Sequence, residues 1–393
     1  MIRTHLSADP AESFGWAAAR IGDLDGDGAP EYLISAIFNA QNGFNAGRVV
    51  LYSGADGSVM NEVFGNPGDR LGHQLASAGD VNGDGVLDYA LGGPGSVPAP
   101  GPQPGRLLVL SGADHSVLLD VAGPGDRTFF GYDVHAAGDL NGDGFDDLVV
   151  GAPRDSTSFA FAGRAYAISG RDGSTLWTYG GEQGFYLVGT GVAGIGDLNG
   201  DGIPEQVAAG FQAGHKFQGE GYVLSGADGT VLHVLKPKNE PRQNFGNFFV
   251  QNAGDTDRDG VDDILIGDFG IPSTPGRAYL WSGADTEARQ ILDGANAADG
   301  FGIGRGVGDV DGDGHADLFL AAFHNSEGAF QAGKGYVYSG RNLKRIREMT
   351  GTVAGAQLGF DALGLGDVNA DGRIDFMLTG VGVAHVIAGN PVP

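Results

Sequence analysis

The chain of 393 residues contains no cysteine and few basic residues. The absence of cysteine excludes disulfide bonds, thiolate metal sites and a cysteine nucleophile. Lysine and arginine together number 23 against 49 aspartate and glutamate residues, which gives a formal net charge of −26 at pH 7. Because nucleic acid is bound largely by neutralising phosphates, we predict that this acidic chain does not bind it.

Long apolar runs and the motifs of common enzymes are also missing. No apolar stretch reaches the roughly 18 residues of a membrane-spanning helix, so we predict no membrane insertion. Residues 1–6 show no basic segment followed by an apolar run, and no signal peptide is expected in this chain. The sequence has no phosphate-binding Gly-rich loop with lysine, no His-Glu-x-x-His and no Gly-x-Ser-x-Gly, which predicts a protein that is not an enzyme.

Glycine and a repeated acidic segment are what the sequence has in abundance. The 73 glycines show no Gly-X-Y period, and the 41% hydrophobic content suffices for a packed core. A Gly-Asp pair opens an acidic segment seven times, at spacings of 54 to 59 residues. The repeated aspartates are Asp23, Asp80, Asp139, Asp197, Asp255, Asp309 and Asp367.

Each repeat has four short β-rich runs separated by Gly, Asn and Asp turns, with no long helical period. Four strands per repeat, repeated radially, form the blade of a β-propeller. We therefore predict an all-β, seven-bladed propeller with four antiparallel strands per blade, as a single domain over residues 1–393. The last repeat ends without a fourth run, and residues 2–6 are expected to supply that strand and close the ring, which protects the sheet edges.

The acidic loops read Asp-x-[Asp/Asn]-x-Asp-Gly-x-x-[Asp/Glu] and span 23–31, 80–88, 139–147, 197–205, 255–263, 309–317 and 367–375. Positions 1, 3, 5 and 9 are expected to bind a cation through side-chain oxygens, and position 7 through its backbone carbonyl. The predicted ligands are Asp23, Asp25, Asp27, Ala29, Glu31; Asp80, Asn82, Asp84, Val86, Asp88; Asp139, Asn141, Asp143, Phe145, Asp147; Asp197, Asn199, Asp201, Ile203, Glu205; Asp255, Asp257, Asp259, Val261, Asp263; Asp309, Asp311, Asp313, His315, Asp317; Asp367, Asn369, Asp371, Arg373, Asp375.

Calcium fits this pattern best, because all ligands are oxygens and the loop is flexible and multidentate. An EF-hand is excluded, since position 12 is apolar in every loop where that motif needs glutamate. Asp, Asn and Gly also form ordinary tight turns, but an acid kept at position 9 in all seven copies disfavours that interpretation. Seven equivalent sites indicate up to seven structural calcium ions rather than one catalytic ion.

In the third repeat Phe130-Gly131, the acidic loop and Gly151-Ala152-Pro153 follow in order. This order resembles the FG-GAP repeats of the integrin α-subunit N-terminal propeller, and the resemblance extends over all seven repeats. It implies calcium on the lower face and partner contacts on the upper face. Only this repeat has a full Gly-Ala-Pro, all seven repeats carry an acidic loop, and no Arg-Gly-Asp segment is present. The integrin partner is therefore not carried over.

By that resemblance, recognition is expected in the variable loops that join the second and third strands. They span 38–46, 96–104, 154–162, 212–218, 270–275 and 324–332, with Phe44, Phe159, Phe161, His215, Lys216, Phe217, His324 and Phe330 as the aromatic and polar candidates. The alternative is that these phenylalanines cap the central channel or pack between blades.

The predicted function is a calcium-stabilised recognition or adhesion module, extracellular or at the cell surface, monomeric as a domain, with a protein or glycan partner. Two alternatives stay open: a polysaccharide lyase or hydrolase with its site in the central funnel, and a purely structural module of a larger surface protein.

Overall fold

The computed structural model describes residues 1–96, 101–237, 244–270, 273–283 and 288–389. These residues form 28 strands in seven four-stranded antiparallel sheets, with two 3-10 turns at Pro10–Glu12 and His215–Phe217. The strands are β1 (Arg3–Leu6); in blade 1, β2 (Phe14–Gly22), β3 (Glu31–Ala36), β4 (Arg48–Tyr52) and β5 (Val59–Phe64); in blade 2, β6 (Gln74–Gly79), β7 (Asp88–Gly93), β8 (Arg106–Leu110) and β9 (Val117–Ala122); in blade 3, β10 (Val134–Gly138), β11 (Asp147–Ala152), β12 (Arg164–Ile168) and β13 (Thr175–Gly180); in blade 4, β14 (Val188–Gly194), β15 (Gln206–Gly210), β16 (Glu220–Leu224) and β17 (Val231–Leu235); in blade 5, β18 (Val250–Gly254), β19 (Asp263–Asp268), β20 (Arg277–Trp281) and β21 (Ala288–Asp293); in blade 6, β22 (Phe301–Gly308), β23 (Asp317–Ala322), β24 (Lys334–Tyr338) and β25 (Arg345–Thr350); and in blade 7, β26 (Ala362–Gly366), β27 (Asp375–Gly380) and β28 (Val383–Ile387).

The N-terminal strand completes the last blade. The sheet of blade 7 has the order β1-β28-β27-β26, and the pairing runs from Arg3 opposite Val386 to Leu6 opposite Val383. The seven-bladed architecture and the ring closure that the repeat pattern predicts are both confirmed.

The core lies between adjacent blades. The second strand of every blade is buried along its whole length, whereas the fourth strand of blade 1 is only partly buried. Leu33 and Leu51 of blade 1, for example, share one buried cluster with Leu75 and Leu91 of blade 2. A strand covered on both faces needs a continuous apolar run, and this explains the apolar segment after each acidic loop.

Antiparallel order places the connections on two opposite faces. The acidic loops, between the first and second strands, lie on the same face as the Ser-Gly turns between the third and fourth strands; we call this the lower face. The connections between the second and third strands, and between one blade and the next, lie on the upper face. Two of the predicted recognition loops extend beyond the described residues, at 97–100 and 271–272.

None of the helical segments among the described residues is long and apolar enough to cross a membrane.

Candidate functional site

Every acidic loop is held by the same local hydrogen bonds. In the first loop Asp23 accepts from the N–H of Gly28 at 2.9 Å and Asp27 accepts from the N–H of Ala29 at 2.8 Å. Both bonds recur in the other six loops. The glycines at position 6 have φ between 78° and 93°, a conformation that disfavours side chains, and this explains why glycine is required there.

The carboxylate at position 9 connects each loop to the Ser-Gly turn of its own blade, or in blade 7 to Ala388-Gly389 at the same place. Asp147 accepts from the N–H of Leu140 at 2.8 Å through Oδ2 and from the N–H of Gly170 at 3.0 Å through Oδ1. The same two bonds join the other six loops to their turns. All seven position-9 carboxylates are fully buried.

Burial raises the pKa of these carboxyl groups, and the other acids of each loop raise it further. The pKa is raised to about 6 for Asp88, Asp147, Asp263 and Asp317, with loss of hydration as the largest cause. Burial also raises the pKa of Glu31, Glu205 and Asp375. A buried carboxylate beside other carboxylates is unfavourable unless a cation compensates it.

The arrangement of the oxygens fits a hard divalent cation. In the first and fifth loops the acids at positions 1, 3 and 5 offer oxygens within 4.8 Å of one another, and in the sixth loop those at positions 1, 3 and 9 do. The other four loops carry asparagine at position 3, and in two of them Asn199 and Asn369 donate to the position-9 carboxylate. An all-oxygen set of this kind is suited to calcium.

The acidic loops also contact one another around the lower face. The residue at position 8 of each loop lies over the glycine that precedes position 1 in the preceding blade's loop. A Cβ at Gly22 would lie 2.7 Å from Leu87, and a Cβ at Gly254 would lie 2.7 Å from that of Ala316. Pro30 lies in the same way over Gly366, so the contact also spans the junction of the first and last blades.

The upper face presents six exposed phenylalanines. No other phenylalanine, and no tyrosine or tryptophan, is exposed among the described residues. The six are Phe44, Phe159, Phe161, Phe185, Phe217 and Phe330, between 41% and 71% exposed. None of the five predicted members of this set is buried, and none is among the residues that line the cavity at the central channel. Phe185, in a connection between blades, is a member that the sequence pattern did not indicate.

A different set of aromatic residues covers the central channel. Trp16, Phe248, Phe249, Phe323 and Phe360 are among the residues that line a cavity of about 130 Å³ at its upper end. Trp16 and Phe360 directly follow the glycine of the Phe-Gly or Leu-Gly pair, which is the signal in the sequence that could have identified them.

Polar residues below these aromatics connect neighbouring blades beside the channel. Asp133 is fully buried and accepts hydrogen bonds from Gln74 of blade 2 and from the N–H of Val192 in blade 4. Arg305 pairs with Asp361 at 2.5 Å. Burial raises the pKa of Asp133 to about 7 and lowers that of the adjacent His135 to about 3. Because its partners are protein groups from neighbouring blades, Asp133 has a structural role.

Family comparisons match two parts of the chain. The FG-GAP repeat profile matches residues 130–168, and the FG-GAP-like repeat profile matches residues 309–378. Integrin alpha-5 of Xenopus laevis is 30% identical over 217 residues, which cover 50% of this chain and 20% of the integrin. Integrin alpha-8 of Gallus gallus is 29% identical over 297 residues, which cover 67% of this chain and 27% of the integrin. The chain thus matches only about a fifth to a quarter of these relatives' length.

Solved structures agree on the fold. Saccharomyces cerevisiae Sqt1 superposes with a TM-score of 0.57 at 11% identity, covering 99% of this chain and 100% of Sqt1. BBS1N, solved in complex with ARL6DN, superposes with a TM-score of 0.55 at 10% identity, covering 99% of each chain. At such identities the likeness concerns the fold alone. The chain is thus a seven-bladed β-propeller that contains FG-GAP repeats and is similar to the integrin α-subunits.

Proposed function

We propose that this propeller is a recognition or adhesion module that binds a protein partner through its upper face. The observation that carries this proposal is the segregation of the two faces, with acidic loops on one and all six exposed phenylalanines on the other. Exposed apolar side chains gathered on one face are typical of interaction surfaces, and aromatic residues are enriched in interfaces. The similarity to integrin α-subunits supports the same function.

The chemistry of this face favours a protein over a glycan. Phenylalanine offers an apolar ring without the polar handle that tyrosine and tryptophan provide. Phe161 and Phe185 lie with ring centroids 5.5 Å apart, and the guanidinium of Arg154 lies 5.9 Å from the centre of the Phe161 ring. Apolar rings beside an arginine suit a partner with exposed apolar and acidic side chains.

The backbone at three of these phenylalanines, including Phe185 with a φ of 66°, supports a binding role over a structural one. Phe161 and Phe217 adopt φ values of 51° and 58°, in the left-handed region that bulky residues rarely occupy. The same loop position, two residues before the glycine that precedes the third strand, holds Asn45 in blade 1 and Gln331 in blade 6. A strained, exposed aromatic residue where asparagine fits better is expected where binding requires the ring.

The variants Phe161→Asn and Phe217→Asn test this function. We expect each to keep or raise the melting temperature, because asparagine tolerates left-handed φ, and to lose binding to the partner. Binding would be measured on an array of purified extracellular-matrix proteins and glycans in calcium-containing buffer. Any array protein bound by the unmodified chain then serves as the probe for the variants.

Val117→Thr is the matched control, because it removes an exposed apolar side chain from the outer strand of blade 2 while leaving the upper face intact. We expect the control to bind like the unmodified chain. Unchanged binding by both phenylalanine variants, or a signal confined to glycans, would contradict the proposed protein-binding surface.

Calcium is the second part of the proposal. We infer that loops 23–31, 80–88, 139–147, 197–205, 255–263, 309–317 and 367–375 are calcium loops that stabilise a single domain over residues 1–393. The convergent oxygens of the first, fifth and sixth loops and the buried position-9 carboxylates of all seven loops support this role. We propose that the loops work outside the cell or at its surface, where calcium-binding modules have a Kd of about 10⁻⁴–10⁻³ M.

A further inference from the structure

The fifth acidic loop differs from the others because it already contains a positive charge. Arg289 of β21 places Nη1 at 2.7 Å from Asp257 Oδ2 and at 3.4 Å from Asp263 Oδ2. Its Nη2 donates to Thr256 Oγ1 at 2.7 Å and to the carbonyl of Gly340 at 3.2 Å. The guanidinium therefore bridges the carboxylates at positions 3 and 9, which are both predicted calcium ligands.

No other blade whose fourth strand lies in the same repeat has arginine at the position of Arg289. Strand pairing aligns Arg289, the second residue of its strand, with apolar residues in five other blades. These residues are Met60, Leu118, Leu176, Leu232 and Ile346. The loop has changed in parallel, because its position 2 is Thr256, which binds the guanidinium, where every other loop has leucine or valine.

Within the described part of the chain, no other acidic loop has such a partner. Among the described residues, the only ion pairs within 4.0 Å that involve a loop carboxylate at position 1, 3, 5 or 9 are the two made by Arg289. The second arginine of this region, Arg258, is directed to the sixth loop, where Nη1 contacts the carbonyl of Asp313 at 3.5 Å.

We propose that Arg289 replaces calcium as the counter-charge of the fifth loop, so that this loop binds calcium more weakly than the other six. The inference rests on the proposal that those six bind calcium. A calcium ion in the fifth loop would have to displace the guanidinium from two carboxylates or lie beside its positive charge, and both are unfavourable. Energetic coupling between two bound groups typically changes an affinity about 5- to 150-fold, and we expect the effect of the guanidinium on the ion to fall in this range.

The same contacts are expected to hold the fifth loop in its folded conformation without calcium. Gly340 belongs to the Ser-Gly turn of blade 6, so Arg289 joins the loop of blade 5 to its neighbour with a fixed side chain. At low calcium the junction between blades 5 and 6 is therefore expected to be the part of the lower face that keeps its structure.

Arg289→Leu tests the inference, since leucine occupies this position in blades 2, 3 and 4. The number of bound calcium ions would be measured by equilibrium dialysis with metal analysis over a range of free calcium. We expect the unmodified chain to bind six ions tightly and the variant to bind one more, with the affinity of that last ion raised about 5- to 150-fold. Arg289→Gln, which keeps a polar side chain, is expected to give the same extra ion if the leucine variant is poorly folded.

Arg345→Leu is the control, because it also removes one positive charge from a fourth strand, but the ion pair of Arg345 is with Glu348 and not with an acidic loop. This control should leave the count at six. A count of seven equal ions in the unmodified chain, or no gain in either Arg289 variant, would overturn the inference while leaving the other calcium sites in place. A count of zero would instead reject the proposed calcium loops, and the inference with them.

Discussion

At the residue scale, two buried aspartates beside the central channel each connect three blades. Asp133 in blade 3 accepts from Gln74 of blade 2 and from the backbone of Val192 in blade 4. Asp361 in blade 7 accepts from Arg305 of blade 6 and from the N–H of Ala18 in blade 1. Both follow the Phe-Gly or Leu-Gly pair by two residues, so one position of the repeat supplies both connections.

Asp133→Asn is expected to change how stability depends on pH. Burial raises the pKa of Asp133 from its ordinary 3.8 to about 7, so between these values the folded chain keeps a proton that the unfolded chain loses. The contribution of Asp133 to the free energy of unfolding is therefore complete below about pH 4 and is lost as the pH rises toward 7. Relative to the variant, the unmodified chain should lose up to about 1.4 kcal/mol of unfolding free energy per pH unit.

Denaturant unfolding of both chains in saturating calcium, from about pH 4.5 to 7.5, would measure this difference. Comparing the two chains removes the opposite contribution of His135, whose pKa burial lowers to about 3. Asp172→Asn is the control, because hydrogen bonds from Ser174 lower the pKa of that exposed carboxyl, so the group is ionised in both states across this range and the difference should not change with pH. A pH-independent difference between the unmodified chain and Asp133→Asn would show that Asp133 is charged in the fold.

At the scale of the element, the ring of acidic loops depends on glycines where neighbouring blades meet. Gly254 has a φ of 71°, and an added Cβ would lie 2.7 Å from the Cβ of Ala316 in the next loop. Gly254→Ala should therefore lower the free energy of unfolding by more than the about 1–2 kcal/mol that left-handed backbone alone costs. Urea unfolding of the variant and the unmodified chain measures this loss.

Gly382→Ala separates the two causes. Gly382 has a φ of 73°, but no atom lies within 4 Å of an added Cβ, so this variant has the backbone cost without the contact between loops. Equal losses in the two variants would mean that the loops do not support one another.

The elements could be predicted from the sequence wherever a signal repeats. Acidic loops seven times over give the number of blades, and an incomplete last repeat gives the closure by β1. Arg289 escapes such reasoning because it lies 26 residues beyond Asp263, and a single arginine in a strand carries no repeated signal. The exposure of Phe161 and Phe330 could not be predicted either, since an apolar residue in a loop is equally consistent with burial.

At the scale of the whole molecule, closure of the ring is non-covalent throughout. The chain has no cysteine, so the N-terminal strand is held in the last blade by hydrogen bonds and packing, including the four-residue pairing of β1 with β28. Electrostatic repulsion on the lower face opposes folding, because buried position-9 carboxylates lie among further acids and the net charge of the chain is −26. Divalent cations would relieve this repulsion at the places where neighbouring blades touch.

Removal of calcium is therefore expected to destabilise the whole propeller rather than single loops. A ligand that binds only the folded state adds about 2.7 kcal/mol per site at a concentration 100 times its Kd, and several such sites act on one cooperative ring. Thermal unfolding with calcium and with a chelator should show a large fall in melting temperature, reversed by calcium. Sodium chloride at equal ionic strength is the control, because it screens surface charge without entering the loops. If salt restored the melting temperature as fully as calcium does, general charge repulsion would explain the loss. An unchanged melting temperature in chelator would show that calcium does not stabilise this fold.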